Sequence, residues 1–227
     1  MIVVHHLNNS RSQRVLWLLE ELGLPYEVVR YQRDPKTMLA PPELKAVHPL
    51  GKSPVIVDGD CKVAESGAII EYLLDKYDGR EGRDALQPER GTPEKRRLTY
   101  FLHYAEGSMM APLLMKLIFD RVENSPAPFF VKPIARGIAQ KVKGSYILPQ
   151  INQHLAYLEG ELSARTWFAG DTFTAADIQM SFPLEAAAAR GGLDERFPKL
   201  KAFLDRIHAR PAYQRALEQG GPYELLR

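Results

Sequence analysis

The stretch IVVHHLNNSRSQRVLWLLEELGLPYEVVRY, residues 2–31, predicts a strand, a helix and a second strand in close succession. Its first six residues are mostly β-branched or apolar, and its last six, Tyr26–Tyr31, alternate as a strand does. The helix between them has one apolar face, with spacing i, i+3, i+4 and i+7 at Val15, Leu18, Leu19 and Leu22. Gly23 then ends the helical pattern. Two strands joined by a helix pair in parallel, so the stretch predicts a βαβ unit.

The residues that follow extend this unit to an α/β layer. A proline-rich passage with one short helix leads to two strand-like runs, Val55–Val57 and Lys62–Ala64. These runs flank Asp58-Gly59, a dipeptide typical of a tight hairpin turn. Glu65-Ser66 opens a further helix. The order βαβ, α, ββα predicts a compact α/β domain with a mixed sheet over residues 1–78.

The remainder of the chain predicts helices alone. Residues 79–92 are charged, contain glycine and have almost no large apolar residues, which is typical of a linker. Residues 93–227 have helical apolar spacing throughout and form the predicted second domain. Three prolines within it, Pro112, Pro149 and Pro183, should begin or kink helices.

One helix start in this second domain has a strong local signature. In FTAADI, residues 173–178, Thr174 suits the N-cap position and Asp177 stands at N3, where its carboxylate is able to complete a capping box. Phe173 and Ile178 suit a hydrophobic staple. This pattern predicts folding rather than chemistry.

Composition narrows the class of function. With 30 Lys plus Arg against 28 Asp plus Glu, the net charge of +2 gives no reason to expect nucleic acid or a membrane as a partner. The one cysteine, Cys61, excludes a disulfide framework and a C-x-x-C site. There is no apolar run of membrane-spanning length, so the expected location is a reducing compartment, the cytoplasm. No metal site is expected, because no ligand cluster is apparent.

Three blocks of the sequence resemble the cytosolic glutathione S-transferase family, over almost the whole chain. They are HHLNNSRSQRVLWLLEELGLPYEV at 5–28, HPLGKSPVIVDGDCKVAESGAIIEYLLDKY at 48–77 and WFAGDTFTAADIQMSFPL at 167–184. The first block is most similar to bacterial and fungal members of the theta-like kind. The resemblance implies a thioredoxin-like N-terminal domain, an all-helical C-terminal domain and a homodimer.

The resemblance also implies an activity. It is the addition of the glutathione thiolate to a small hydrophobic electrophile, with glutathione as co-substrate and glutathione-dependent peroxide reduction as an allied activity. The alternative is a non-catalytic binding or regulatory module of the same fold. A glutaredoxin-like reductase is disfavoured, because the loop Ser10-Arg11-Ser12-Gln13 has no cysteine.

By the resemblance, six residues bind glutathione: His48, Lys52, Ser53, Pro54, Glu65 and Ser66. Lys52 and His48 take the glycyl carboxylate, and Ser53, before a cis Pro54, presents its main chain to the cysteinyl unit. Ser66, at a helix start, suits the α-carboxylate, and Glu65 suits the α-ammonium group. Outside this family pattern, Lys52 is an ordinary solvated charge and Ser66 an ordinary N-cap.

The catalytic requirement is small. A thiol with a pKa of about 8.5 needs a drop of roughly two units to ionise at neutral pH, which is about 2.7 kcal/mol. A hydrogen bond to a charged group supplies roughly 1.5–3 kcal/mol, so one hydroxyl at a helix start nearly suffices without a base. Ser10 matches the family's serine in this loop. An amide donor from Asn8 or Asn9 is the alternative.

The other polar residues of the loop have different expected roles. Arg11 adds positive potential near the sulfur, and Arg14 pairs with a carboxylate as a structural residue. Ser12 should be turned away from Ser10 by the first helical turn, and it serves as polar surface or as a cap.

The acceptor substrate is expected to bind between the two domains. Tyr104 and Met109 are the candidate pocket residues, because aromatic and methionine side chains make adaptable walls. The alternative for both is a position in the core or in the dimer contact.

Overall fold

A computed structural model describes residues 1–79 and 84–226 of the chain. Four strands form one sheet in the order β2-β1-β3-β4, where the strands are β1 (Ile2–Leu7), β2 (Tyr26–Tyr31), β3 (Val55–Asp58) and β4 (Cys61–Ala64). β1 and β2 pair in parallel, and β3 runs antiparallel to β1 and to β4. The helices of this layer are α1 (Ser12–Leu22), α2 (Glu43–Val47) and α3 (Ser66–Tyr77). The predicted thioredoxin-like order βαβ, α, ββα is confirmed.

The second part of the chain is helical, as expected. Its helices in the described residues are α4 (Pro93–Tyr104), α5 (Met110–Glu123), α6 (Lys132–Val142), α7 (Leu148–Ala164), α8 (Ala175–Arg190), α9 (Pro198–His208) and α10 (Pro211–Gly220). A 3-10 turn, Glu224–Leu226, follows α10. None of the described helices combines the length and the apolar character needed to cross a membrane.

Two of the three prolines follow local changes of helix type. A π-helical turn, Ala105–Met109, joins α4 to α5, and a second, Lys143–Ile147, joins α6 to α7. Pro112 and Pro149 lie immediately beyond these turns. A proline has no N–H to donate and its ring clashes with the carbonyl four residues earlier, so the turn before it widens.

The hairpin turn lies one residue later than predicted. Asp58 still pairs with Cys61, so the two turn residues are Gly59 and Asp60. The Asp58 carboxylate accepts hydrogen bonds from the hydroxyls of Tyr72 and Tyr77 on α3, and these bonds tie the end of β3 to that helix.

The predicted linker is anchored where the structure describes it. Residues 80–83 lie outside the described residues. Further on, Leu86 is buried, its N–H donates to the Asp78 carboxylate at 2.9 Å, and its carbonyl accepts from Ala175 N–H at 2.9 Å. The segment before α4 therefore bonds to both parts of the chain.

Helix α1 is buried on more sides than its predicted stripe. Nine of its eleven residues are buried, including the polar Gln13 and Arg14. The sheet and α3 cover one side of α1, and α8 and α10 cover the other. One continuous hydrophobic core therefore runs through both parts of the chain, with α1 at its centre.

Candidate active site

Three candidate segments meet at one end of the sheet. His5 of β1 pairs with Val55 of β3, and Val55 pairs with Ala64 of β4. The loop after β1, the Ser53-Pro54 bond before β3 and the Glu65-Ser66 step after β4 therefore lie side by side. Register alone brings the predicted thiol-activating and glutathione-binding residues together.

The Ser53-Pro54 peptide bond is cis, as the resemblance implied. The Ser53 hydroxyl donates to the His5 carbonyl at 2.9 Å and accepts from the Leu7 N–H at 3.2 Å. The side chain of Ser53 thus fastens this loop to β1. Its main chain is the part that a ligand along this edge would meet.

Lys52 and His48 lie in the turn that leads to Ser53. Lys52 is exposed, and His48 is half-buried at the end of α2. Gly51 between them has a φ of +57° and is buried, and a Cβ atom there would lie 2.8 Å from Lys45 Cγ. A positive φ and this close approach to Lys45 both favour glycine at this position, and Lys52, which follows it, lies in solvent.

The start of α3 has a strained backbone. Glu65 has a φ of 71° and a ψ of 126°, a region that residues other than glycine rarely adopt. Such a conformation costs on the order of 1–3 kcal/mol and is concentrated at functional sites. Ser66, the first residue of α3, is buried beside it.

Ser10 precedes Arg11, the N-cap residue of α1, and accepts hydrogen bonds from the first turn of this helix. Its carbonyl accepts from Gln13 N–H at 3.2 Å, and its hydroxyl oxygen accepts from Ser12 N–H at 3.3 Å. The side chain is nearly buried, with 4% of its surface exposed. The hydroxyl at the predicted position is therefore held by local hydrogen bonds.

The expectation that Ser12 turns away from Ser10 is wrong. Ser12 Oγ lies 2.7 Å from Ser10 Oγ and 2.8 Å from His6 Nδ1. The tight loop before α1 folds the first helical residue back over Ser10, and the buried imidazole supplies a second partner. His6 did not emerge from the sequence as a site residue. The alternation of β1, which puts His6 on the same face as Ile2 and Val4, was the available signal.

Both asparagines of the loop make hydrogen bonds that hold it in place. The Asn8 side-chain oxygen accepts from Arg33 N–H, and the Asn9 side-chain oxygen accepts from Glu224 N–H, each at 2.8 Å. Asn9 also has a φ of 50°, which the tight turn requires. The loop is thus fixed to the end of β2 and to the C-terminal 3-10 turn.

The two arginines of the loop share one carboxylate. Arg11 Nε donates to both oxygens of Glu106, at 2.9 and 2.8 Å, and the buried Arg14 pairs with the same group. The prediction that Arg14 has a carboxylate partner is confirmed. Burial acts to raise the pKa of Glu106, but Arg14 and Arg11 hold that pKa below its usual value. The positive charge of Arg11 is therefore partly neutralised.

Tyr104 and Met109, the two candidate pocket residues, are both buried. The Tyr104 hydroxyl lies 2.6 Å from His154 Nδ1, and its ring stacks on Tyr100. Met109 is fully buried in the core. The core position, which was the alternative for both residues, matches these contacts, and their role in acceptor binding stays a prediction.

Burial lowers the pKa of His6 to about 4, and Arg30 on the neighbouring strand acts in the same direction. The native ring therefore stays neutral, whereas the unfolded ring takes up a proton below its usual pKa of 6.5. His6 thus contributes stability that is present above pH 6.5 and lost as the pH falls towards 4. Between pH 7 and pH 5 we expect a loss of about 2 kcal/mol in the free energy of unfolding from this group.

Urea unfolding at both pH values measures this loss in the wild-type protein and in His6→Gln. The variant should lose less stability on acidification than the wild type. His103→Gln, a substitution at an exposed histidine of α4, controls for the effect of replacing any histidine by glutamine. Equal losses in the wild type and in His6→Gln would contradict the assignment.

Comparison with known proteins identifies the family. The model of the glutathione S-transferase N-terminal domain matches residues 1–75, and that of the C-terminal domain matches residues 130–211. Glutathione S-transferase 1 of Saccharomyces cerevisiae is 35% identical, with 96% of this chain and 95% of that protein covered.

Solved structures agree with this match. A crystal structure of a glutathione S-transferase from Actinobacillus pleuropneumoniae has a TM-score of 0.81 and 35% identity, and covers 100% of this chain and 96% of its own. A sphingomonad glutathione S-transferase complexed with glutathione has a TM-score of 0.72 and 25% identity, with 96% and 98% covered. With both domains matched and a third of the residues identical over nearly the full length, the chain belongs to the glutathione S-transferase family, enzymes that use glutathione as a co-substrate.

Proposed function

We propose that this protein adds the thiolate of glutathione to small hydrophobic electrophiles. The observation that carries the proposal is the meeting of three segments at one end of the sheet: the Ser10 loop, the cis Ser53-Pro54 bond and the strained Glu65-Ser66 step. A scaffold without a ligand has no need for a strained backbone at this position.

Each group of glutathione has a partner of suitable chemistry along this edge. The exposed ammonium of Lys52, with His48 nearby in the same turn, suits the glycyl carboxylate. The Ser53 main chain suits the cysteinyl unit as an added strand, because the Ser53 hydroxyl already bonds to β1. The Ser66 N–H, at the start of the twelve-residue α3, suits the γ-glutamyl carboxylate, and Glu65 suits the ammonium group.

The sulfur of a ligand in this position lies near the loop after β1. There the Ser10 hydroxyl stabilises the thiolate by donating a hydrogen bond, and the thiolate attacks the electrophile. The same thiolate attacks the O–O bond of an organic hydroperoxide and releases the alcohol, and a second glutathione converts the resulting sulfenic acid to glutathione disulfide and water, so peroxide reduction is an allied activity in this proposal.

Two measurements test the proposal. Calorimetric titration with glutathione should show binding, and a nitro-activated aryl chloride should be consumed in the presence of glutathione. Absence of binding at millimolar glutathione would contradict the proposal. Binding without turnover of aryl chlorides or organic hydroperoxides would favour the non-catalytic module instead.

Substitution of Lys52 should act on glutathione binding alone. We expect Lys52→Ala to raise KM for glutathione roughly tenfold with kcat nearly unchanged. The variant loses an exposed charge-assisted hydrogen bond to the ligand, whereas the surroundings of the thiol stay the same. Steady-state kinetics with varied glutathione measure both constants. Lys36→Ala, at another exposed loop lysine, is the matched control and should leave KM unchanged. A drop in kcat with unchanged KM would argue against this role of Lys52.

We also propose that the protein is a homodimer of the cytoplasm. Tyr100 is 46% exposed and Tyr157 is 38% exposed, and both rings pack on the buried Tyr104. Exposed aromatic rings on a helical surface favour a protein contact there. The exposed free thiol of Cys61 suits a reducing compartment. Sedimentation equilibrium tests the oligomeric state, and cell fractionation tests the location.

A further inference from the structure

The Ser10 hydroxyl is one end of a buried chain of three polar side chains. Ser10 Oγ lies 2.7 Å from Ser12 Oγ, and Ser12 Oγ lies 2.8 Å from His6 Nδ1. Each of the three residues is at most 4% exposed. The chain is therefore shielded from water, and the direction of each hydrogen bond follows from the partners inside the protein.

The direction is set at the imidazole of His6. The main chain of Gly220, at the end of α10, also faces this ring and acts to raise the pKa of His6, as a carbonyl acceptor does. The nitrogen facing Gly220 must therefore carry a proton. Burial, aided by the charge of Arg30 on β2, outweighs this effect and leaves the ring neutral. A neutral ring has one N–H, so Nδ1 is a bare acceptor.

The Ser12 hydroxyl has two acceptors within reach, His6 Nδ1 at 2.8 Å and the Leu7 carbonyl at 3.5 Å, and one arrangement of the hydroxyl protons satisfies the two short contacts. Ser12 must donate its single proton to His6 Nδ1. The short contact between the two serines must therefore use the proton of Ser10. In the protein without substrate, the Ser10 proton points inward to Ser12, and a lone pair of the Ser10 oxygen is left for a ligand.

We propose that His6, acting through Ser12, holds the Ser10 proton away from the sulfur, so that the glutathione thiolate must compete with Ser12 for it. The inference rests on the proposed function. The remaining lone pair of Ser10 Oγ, which also accepts from the Ser12 N–H, is then free to accept a hydrogen bond from the neutral thiol. When the thiol has lost its proton to solvent, the Ser10 hydroxyl rotates from Ser12 to the thiolate. His6 is too weak a base to take the thiol proton, and Ser12 is a positioning residue.

The pKa of enzyme-bound glutathione tests the competition directly. The ultraviolet absorbance of the thiolate is titrated against pH in the binary complex of the wild type, Ser12→Ala, Ser10→Ala and the double variant. We expect Ser12→Ala to lower the thiol pKa by about half a unit to one unit, because one neutral hydrogen bond no longer competes. At a pH below the pKa this is roughly three- to tenfold more thiolate.

The double variant separates competition from general damage. If Ser12 acts only through Ser10, the double variant should have the thiol pKa of Ser10→Ala alone. His5→Gln is the control on β1, because the His5 ring bonds instead to the Tyr31 hydroxyl, at 2.9 Å, and it should leave the thiol pKa unchanged.

The outcomes distinguish this inference from the proposed function. A thiol pKa that is unchanged or raised in Ser12→Ala, or a double variant that differs from Ser10→Ala, would overturn the competition while the function stands. An unchanged thiol pKa in Ser10→Ala would overturn the role of Ser10 and this inference with it, and no complex of the wild type with glutathione would overturn the proposed function itself. Nitrogen NMR of His6 in the wild type is independent of any variant: a proton on Nε2 supports the inference, and a proton on Nδ1 overturns it.

Discussion

Ser10→Ala should convert glutathione about tenfold more slowly at pH 7 and bind it with nearly unchanged affinity. A hydrogen bond from a hydroxyl to a thiolate is worth roughly 1.5–3 kcal/mol, and the bond to Ser12 that the hydroxyl gives up is worth about 1 kcal/mol. The net stabilisation is therefore about one pKa unit of the thiol, or about tenfold in thiolate at neutral pH. Affinity is retained because the main chain at Ser53 and the charge of Lys52 are untouched.

The pH profile of kcat makes this expectation specific. In Ser10→Ala the profile should move to higher pH by about one unit, and the rates of variant and wild type should converge at alkaline pH, where the thiol ionises unaided. Ser163→Ala, at an exposed serine of α7 whose hydroxyl donates to the Glu159 carbonyl, is the matched control. An unshifted profile would assign thiolate stabilisation to Asn8 or Asn9 instead.

Among the substitutions proposed for this protein, Asp177→Ala should give the largest loss in the free energy of unfolding. The Asp177 carboxylate is fully buried and accepts hydrogen bonds from Phe168 N–H at 2.9 Å and Thr174 N–H at 2.8 Å. It completes the predicted capping box of α8, which the structure confirms. Alanine leaves both buried N–H groups without this acceptor, at roughly 1–3 kcal/mol each, so we expect a loss of about 3–5 kcal/mol in the free energy of unfolding. That is a large part of the stability of a typical protein.

Chemical denaturation with urea measures the loss. Asp177→Asn retains one acceptor oxygen and should lose less. Asp194→Ala removes an exposed carboxylate that accepts from Arg196 N–H, and it should change stability by about 0.5 kcal/mol or less. A loss below about 1 kcal/mol in Asp177→Ala would contradict the structural role of the capping box.

The elements that the sequence predicted well are those with a local cause. Apolar period and turn chemistry placed β1 and β2 at their observed bounds, and Gly23 ends α1 as predicted, where the structure gives it the left-handed conformation. The Thr174–Asp177 box likewise depends on residues three positions apart. Such local patterns predict structure reliably because they do not depend on contacts with residues far away in the chain.

The features that were missed depend on what covers each element. Periodicity gave α1 one apolar stripe, but α8 and α10, more than 150 residues away, also bury its polar side. Met109, a candidate pocket residue, lies in the core, and sequence spacing does not show which distant elements cover a residue. The contact between Ser10 and Ser12 depends on a tight loop and on His6, and neither is encoded in helical spacing.

The burial of α1 limits which parts of this chain could be exchanged with those of a relative. The helix belongs to the N-terminal unit by sequence, yet Arg14 pairs with Glu106, and Glu21 pairs at 2.6 Å with Arg210, the residue before α10. A chimera that joined residues 1–78 of one relative to the helical part of another would combine two halves of one core. Such a chimera would retain this packing only if the contacting faces of α1, α8 and α10 matched each other.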